Sequence, residues 1–195
     1  MIEDIRKEAL KDKVPIIKDD GLAFILELIR ENGYRNILEL GTAVGYSAMS
    51  MAMLDERIHV DTVEKDPVMY RQAMENIKDN GLEGQIDVYN MAAEEFGTDK
   101  KYDLIFVDAA KAQYGKYMER FIGNLEENGK MVFDNMIFHG LVLSDEEIPS
   151  RSLRALVRKI RAFRESVQND ERFDIMMCDN IGDGILVLGR RKDEA

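Results

Sequence analysis

Two short stretches, Val107-Asp108-Ala109-Ala110-Lys111 and Phe133-Asp134-Asn135, place carboxylates, an amide and a lysine directly after apolar runs of strand length. The runs, Leu104-Ile105-Phe106-Val107 and Met131-Val132-Phe133, read as buried strands. Polar residues at the carboxyl ends of strands in an open α/β sheet lie where such sheets bind ligands. Asp108, Asp134 and Asn135 supply oxygen donors suited to a hard divalent cation such as Mg²⁺, which takes octahedral oxygen coordination and keeps positions for water or substrate. Lys111 lies close by in the sequence. A free lysine titrates at about 10.4, but a nearby dication disfavours its charged form.

The elements that must position these groups alternate along the chain. Strands are expected at Asn36–Leu40, Ile58–Glu64, Ile86–Asn90, Asp103–Asp108, Lys130–Asp134, Phe173–Cys178 and Gly184–Gly189. Helices are expected at Asp19–Asn32, Tyr46–Asp55, Pro67–Asn80, Tyr114–Glu127 and Ser152–Gln168. Pro67 after Asp66 suits a helix start, and Gly81 after Asn80 suits a stop. This alternation predicts a Rossmann-like α/β fold: a seven-stranded, mostly parallel sheet with helices on both faces. Between Cys178 and Gly184 no crossover helix fits. Asn180-Ile181-Gly182-Asp183-Gly184 has the composition of a hairpin turn, so an antiparallel pair closes one edge. No linker or repeat interrupts residues 1–195, which read as a single domain, with residues 1–11 and 190–195 outside the strand pattern.

Ile37-Leu38-Glu39-Leu40-Gly41-Thr42-Ala43-Val44-Gly45-Tyr46-Ser47 reads as strand, glycine turn and helix start. Gly41 allows a tight turn and close ligand approach, and Gly45 allows helix–strand packing. The spacing is Gly-x-x-x-Gly, without the third glycine of dinucleotide dehydrogenases. Glu39 before the first glycine favours a cationic ligand over a pyrophosphate. Glu64, ending the next strand, stands where an acid takes ribose hydroxyls.

Glu39 to Ser47 resembles the first motif of S-adenosylmethionine-dependent, cation-dependent O-methyltransferases of the catechol and caffeoyl-CoA type, and Asp108-x-x-Lys111 and Asp134-Asn135 resemble that family's metal and base motifs. The resemblance runs from about Val14 to Gly189. It implies an S-adenosyl-L-methionine site in which Glu39, Gly41, Val44 and Ser47 line the methionine side, Glu64 binds ribose, and Ala92 and Ala93 flank adenine. It also implies metal ligation by Asp108, Asp134 and Asn135, with Asp108 beside the donor as well and with Lys111 and Asp108 catalytic. Val14-Pro15-Ile16-Ile17 resembles the segment covering cofactor and substrate, so Val14 and Ile16 join the expected contacts. A homodimer is implied as well. The family's extra N-terminal residues are not matched here, where the core follows a short charged segment.

Composition narrows the classes. No apolar run of about 18 residues appears, and the charged N-terminus lacks a secretory signal. A lone Cys178 in an apolar run reads as an inert buried thiol in a reducing cytoplasm. With His59 and His139 the only histidines and no paired cysteines, zinc is disfavoured. The net charge of −11 argues against a general nucleic-acid binder, yet Arg151, Arg154, Arg158 and Arg161, with Arg164 beyond, recur at helical spacing. Such a run is either a solvated face or a site for an anionic partner.

The acceptor separates two expectations. Gly41 to Ser47 with the glycine loop, the run Asp134-Asn135-Met136-Ile137-Phe138-His139-Gly140-Leu141-Val142 and the arginine helix together resemble bacterial tRNA 5-hydroxyuridine methyltransferases. That resemblance implies methylation of the 5-hydroxyl of wobble 5-hydroxyuridine, with Arg151, Arg154 and Arg158 on anticodon-loop phosphates and His139 at the substrate entrance or plain loop. The other expectation is a small catechol or hydroxycinnamoyl-CoA-like acceptor. Met136 and Phe138 are expected to wall the acceptor pocket. A third class, a nucleotide-binding module without catalysis, is opposed by the intact Asp108, Lys111, Asp134 and Asn135.

Overall fold

The computed structural model describes residues 2–145 and 147–191. Its elements are α1 (Ile2–Lys11), α2 (Asp19–Asn32), β1 (Asn36–Leu40), α3 (Tyr46–Ala52), β2 (His59–Glu64), α4 (Pro67–Asp79), β3 (Ile86–Asn90), β4 (Tyr102–Val107), α5 (Tyr114–Phe121), β5 (Leu125–Phe133), α6 (Arg151–Gln168), β6 (Phe173–Cys178) and β7 (Ile185–Arg190). The seven strands form one sheet in the order β3-β2-β1-β4-β5-β7-β6. All neighbours pair in parallel except β5–β7 and β6–β7, as the hairpin composition predicts.

Alternate residues of the central strands bury on opposite faces. Ile105 and Val107 of β4 join the core under α5 and α6, while Leu104 and Phe106 join the core under α2, α3 and α4. Both faces are covered, so the central strands read as unbroken apolar runs. Burying a side chain such as Phe106 contributes roughly 2–3 kcal/mol.

Several boundaries differ from the sequence reading. The helix expected over 114–127 ends at Phe121, followed by a 3₁₀ turn over Ile122–Asn124. Leu125 instead starts β5, where it is buried and pairs with Tyr102. Strand pairing overrides helical propensity there, and Glu126 and Glu127 face solvent. Helix α3 stops at Ala52, three residues before the expected Asp55. Helix α1 lies in the stretch assigned no element: it buries Ala9, and its Arg6 is anchored to Asp19 of α2. Ile2, Ile5 and Ala9 are spaced as one helical face, the pattern that marks it.

The chain moves outward from β1 through β2 to β3, then returns to place β4 on the other side of β1. The carboxyl ends of β1 and β4 flank this reversal, where open α/β sheets form a crevice. Gly41 turns the chain there at φ 104°, and a Cβ on it would lie 2.3 Å from the Asp108 carbonyl oxygen. Only glycine admits so close a strand approach. Gly45, at φ 85°, faces Ala73 of α4 at 3.5 Å, so its role is helix–helix contact rather than the expected helix–strand packing.

Candidate active site

A cleft of about 350 Å³ opens at the crevice. The loop after β1 contributes Gly41 and Ala43, the end of β2 Glu64, the loop after β3 Ala93, and the loop after β4 Asp108 and Lys111, with Val14 on the near side. The size suits a small-molecule site. Glu64 accepts the Ala43 N–H at 2.9 Å and the Asp66 N–H at 2.8 Å. One carboxylate thereby shapes the glycine loop and the start of α4, and each oxygen keeps a lone pair for a ligand hydroxyl.

Of the expected donor contacts, Val14, Gly41, Glu64, Ala93 and Asp108 line this cleft. Ile16 packs into the core on the α2 side, and Val44 is buried, lining a neighbouring recess below α1. Ala92 instead gives its carbonyl to the amides of Glu95 and Phe96. Met69, Met91 and Tyr117, not anticipated from the sequence, complete the wall. Apolar side chains there look the same in sequence as core residues.

Glu39 lies beneath the loop with no exposed surface. It accepts hydrogen bonds from Ser47 Oγ and Thr62 Oγ1, each at 2.5 Å. Burial pushes its carboxyl up to about 7. Glu39 therefore forms part of the floor of the glycine loop rather than its surface, and the part-exposed Ser47 braces it. A carboxyl raised in the folded protein contributes stability below its ordinary range, and that contribution is lost as pH rises through about 7. Glu39→Gln removes the titration, so the unaltered protein should weaken relative to it by about 2 kcal/mol between about pH 5.5 and 8.5. Urea unfolding at both pH values measures this; parallel pH dependence in the two proteins contradicts it.

Beyond the cleft, consecutive backbone bonds step across the sheet. The Asp108 N–H donates to Leu40 O at 2.9 Å, and the Asp134 N–H donates to Val107 O at 3.2 Å. These bonds bring the ends of β4 and β5 together. Asn135 Nδ2 donates to Asp108 Oδ1 at 3.0 Å, Lys111 Nζ lies 3.8 Å from the same oxygen, and Tyr114 Oη donates to Asp134 O at 2.8 Å. Lys111 occupies the 3₁₀ turn Lys111–Gln113. Burial raises the carboxyls of both Asp108 and Asp134, and the charge of Asp134 raises Asp108 further.

Among the described residues no cluster of three or more His, Cys, Asp or Glu forms a metal site. A buried and a half-buried carboxylate with an adjacent amide are nevertheless a donor set that fits Mg²⁺ or a similar hard cation. Neutralising their mutual repulsion is what such an ion would do. Asn135 adopts φ 60°, which asparagine tolerates better than most residues. To offer its oxygen to a cation, the amide must turn away from Asp108.

The sheet order, the glycine loop against Asp108, and an acid–acid–amide set beside a lysine agree with one comparison. A family model described as O-methyltransferase matches residues 1–192. The chain belongs to the O-methyltransferase family.

Among members of this O-methyltransferase family, the caffeoyl-CoA O-methyltransferase of Populus kitakamiensis is 30% identical over 187 residues, covering 91% of this chain and 77% of that protein. The crystal structure of a candidate caffeoyl-CoA O-methyltransferase from Staphylococcus aureus has a TM-score of 0.93 and 35% identity, covering 97% of this chain and 92% of that one. The O-methyltransferase from Bacillus cereus, solved in complex with SAH, has a TM-score of 0.80 at 24% identity, covering 97% and 90%. The last similarity speaks for the fold alone.

The acceptor side brings corrections. Met136 is fully buried in the core and lines neither the donor cleft nor the groove beside α6. Phe138 is half-buried and tilts against His139, whose side chain is largely exposed. The arginine run divides in two. Arg161 donates to the carbonyls of Leu141, Val142 and Ser144, and Arg164 to Met136 O and the Asp179 carboxylate, fastening the segment after β5 onto α6. Arg154 donates to Ile148 O and Pro149 O. Arg151 and Arg158 are exposed and have no hydrogen bond or ion pair with any described residue. All of these except Arg164 line a groove of about 610 Å³.

Proposed function

We propose that the protein transfers a methyl group from S-adenosyl-L-methionine to a hydroxyl oxygen that has a second oxygen as its neighbour. The carrying observation is the juxtaposition of Asp108, Asp134, Asn135 and Lys111 at the end of a cleft that Gly41 and Glu64 also line. Asp108, Asp134 and Asn135 would hold a divalent cation, which lowers the pKa of the acceptor hydroxyl and fixes its position. Lys111 Nζ takes the hydroxyl proton as the new C–O bond forms and the sulfonium is released as a thioether. Gly41 and Ala93 leave room for the donor, and Glu64 accepts from ribose hydroxyls. Met69, Met91 and Tyr117 exclude water from the donor's apolar parts.

For the acceptor, we propose the 5-hydroxyl of wobble 5-hydroxyuridine in tRNA, whose 4-oxo group is the neighbouring oxygen. Support comes from Arg151 and Arg158, which have no partner among the described residues and line a broad groove beside α6, a helix that also packs against the Lys111–Gln113 turn. Guanidinium groups so placed suit backbone phosphates. A second reading is favoured by relatives named for caffeoyl-CoA: the same arginines would hold the phosphates of a coenzyme A thioester. The proposal includes a homodimer, which sedimentation velocity reads. None of the described helices is long and apolar enough to cross a membrane.

Incubation with labelled donor, Mg²⁺ and either hydroxyuridine-containing tRNA, caffeoyl-CoA or free catechols separates these readings. Replacing Arg151 and Arg158 together by Ala should weaken binding of a phosphate-bearing acceptor roughly tenfold and reduce its salt slope by about 2. Free catechols should be unaffected. Transfer only to free catechols, unchanged in the double variant, would remove the anionic acceptor from the proposal.

A further inference from the structure

The segment that carries Asn135 continues into an unusual backbone. Phe138, His139 and Gly140 have φ of 44°, 56° and 82°, and the first two are not glycine. Side-chain-bearing residues rarely hold this left-handed region unless their surroundings over-determine it. The surroundings are the turn between β6 and β7. Gly184 O accepts the Met136 N–H at 2.9 Å, and Asp183 O accepts the Ile137 N–H at 2.8 Å. The His139 N–H then donates to both oxygens of the Asp183 carboxylate, at 2.8 and 3.0 Å.

Asp183 is 3% exposed, yet it takes no part in the transfer chemistry above. Its other neighbours are Lys18 Nζ and His139 Nδ1, each at 3.6 Å. Lys18 also donates to Gly182 O at 3.1 Å, and Asp20 accepts the Gly182 N–H at 2.9 Å. The start of α2 is therefore tied to the same turn. Gly182 itself stands against the metal-ligand pair, since a Cβ on it would lie 3.7 Å from Asp134 Oδ1. A buried carboxylate with one weakly placed lysine is an expensive way to hold a surface loop, and the loop it holds begins with Asp134 and Asn135.

We propose that Asp183 is a positioning residue that locks the left-handed turn at 138–139 and thereby sets the placement of Asn135 for the cation and of His139 at the acceptor entrance. The consequence for the acceptor rests on the transfer reaction proposed above; the consequence for the loop does not. Asp183→Ala leaves the His139 N–H without its acceptor and releases the strained turn. Asp183→Asn keeps an accepting oxygen while removing the charge.

The test measures amide hydrogen exchange over residues 136–142 and calorimetric affinity for Mn²⁺ in protein free of donor and acceptor, then the Michaelis constants of donor and acceptor. For Asp183→Ala, exchange should rise over 136–142 and remain unchanged in β1 and β4, and Mn²⁺ affinity should fall roughly tenfold. The acceptor constant should rise while the donor constant stays unchanged, and Asp183→Asn should restore most of each loss. Unaltered exchange over 136–142, or unaltered Mn²⁺ affinity, overturns the proposal, as does faster exchange spread equally over the sheet. Where Asp183→Ala does not fold, Asp183→Ser decides, because its shorter side chain cannot keep both bonds to the His139 N–H: wild-type exchange over 136–142 or wild-type Mn²⁺ affinity in that variant overturns the proposal. Absence of transfer to every acceptor, with the exchange and Mn²⁺ results as expected, overturns the transfer reaction and leaves the positioning role standing.

Discussion

Asp134→Ala should lower methyl transfer by roughly 10³-fold, corresponding to about 4 kcal/mol of lost transition-state stabilisation, and leave affinity for the methyl donor unchanged. The separation follows from position. Asp134 is 3% exposed, sits at the end of β5 and does not line the donor cleft, whose wall on this side is Asp108 to Lys111. Removing one of two carboxylates halves the negative charge available to a hard cation, and Asp108 with Asn135 alone makes a poor site. The fold should tolerate the change, because the backbone bonds of residue 134 to Val107 and Tyr114 persist and a repulsive buried carboxyl is lost. Donor calorimetry, thermal unfolding and a transfer assay across a Mg²⁺ titration measure the three quantities. Turnover that stays at the wild-type level would exclude a metal-assisted reaction at this site.

Lys111→Met should cost roughly 10²- to 10⁴-fold in the rate constant at neutral pH, the range of a lost general base. Its Nζ is 3.8 Å from Asp108 Oδ1 and its side chain is about one-fifth exposed, so it reaches the cleft from a turn braced by α6. Methionine preserves the length and packing of the stem, leaving the missing proton acceptor as the change. Two further readouts distinguish proton removal from positioning. The rate of the variant should keep rising with pH as solvent takes over the proton. An acceptor whose hydroxyl is already ionised near neutral pH should lose far less than an ordinary one. An equal loss for both acceptors would assign Lys111 to positioning instead.

Asp108, Lys111, Asp134 and Asn135 were legible because strand ends are abrupt in sequence: an apolar run stops and a polar pair follows. The doubly buried sheet made those runs conspicuous, and the Asn180–Gly184 turn revealed the antiparallel edge. Elements whose fate depends on a distant partner were harder to read. Leu125 to Glu127 extend a helical pattern locally, yet Leu125 pairs with Tyr102 across the sheet. Helix α1 has helical spacing, but its anchor is Asp19, well along the chain.

The arginine run shows the same limit inside the site. Periodicity places Arg151 to Arg164 on a helix and says nothing about which carbonyls or carboxylates lie opposite. In the folded chain Arg161 and Arg164 bind loop carbonyls and Asp179, while Arg151 and Arg158 have no partner among the described residues. Asp183 was read as a turn residue, as its neighbours Gly182 and Gly184 suggest. Its grip on His139, 44 residues away in sequence, arises from packing the β6–β7 turn onto the loop after β5.

Local pattern therefore specified the strands, the glycine loop and the acids, amide and lysine that gather at the strand ends, because each depends on residue type at a strand end. Long-range packing settled that Glu39 is floor rather than wall, which arginines are tied to loop carbonyls, and what holds the 138–140 turn. Those outcomes depend on burial and on partners that distant segments supply, and neither is encoded in the spacing of neighbouring residues.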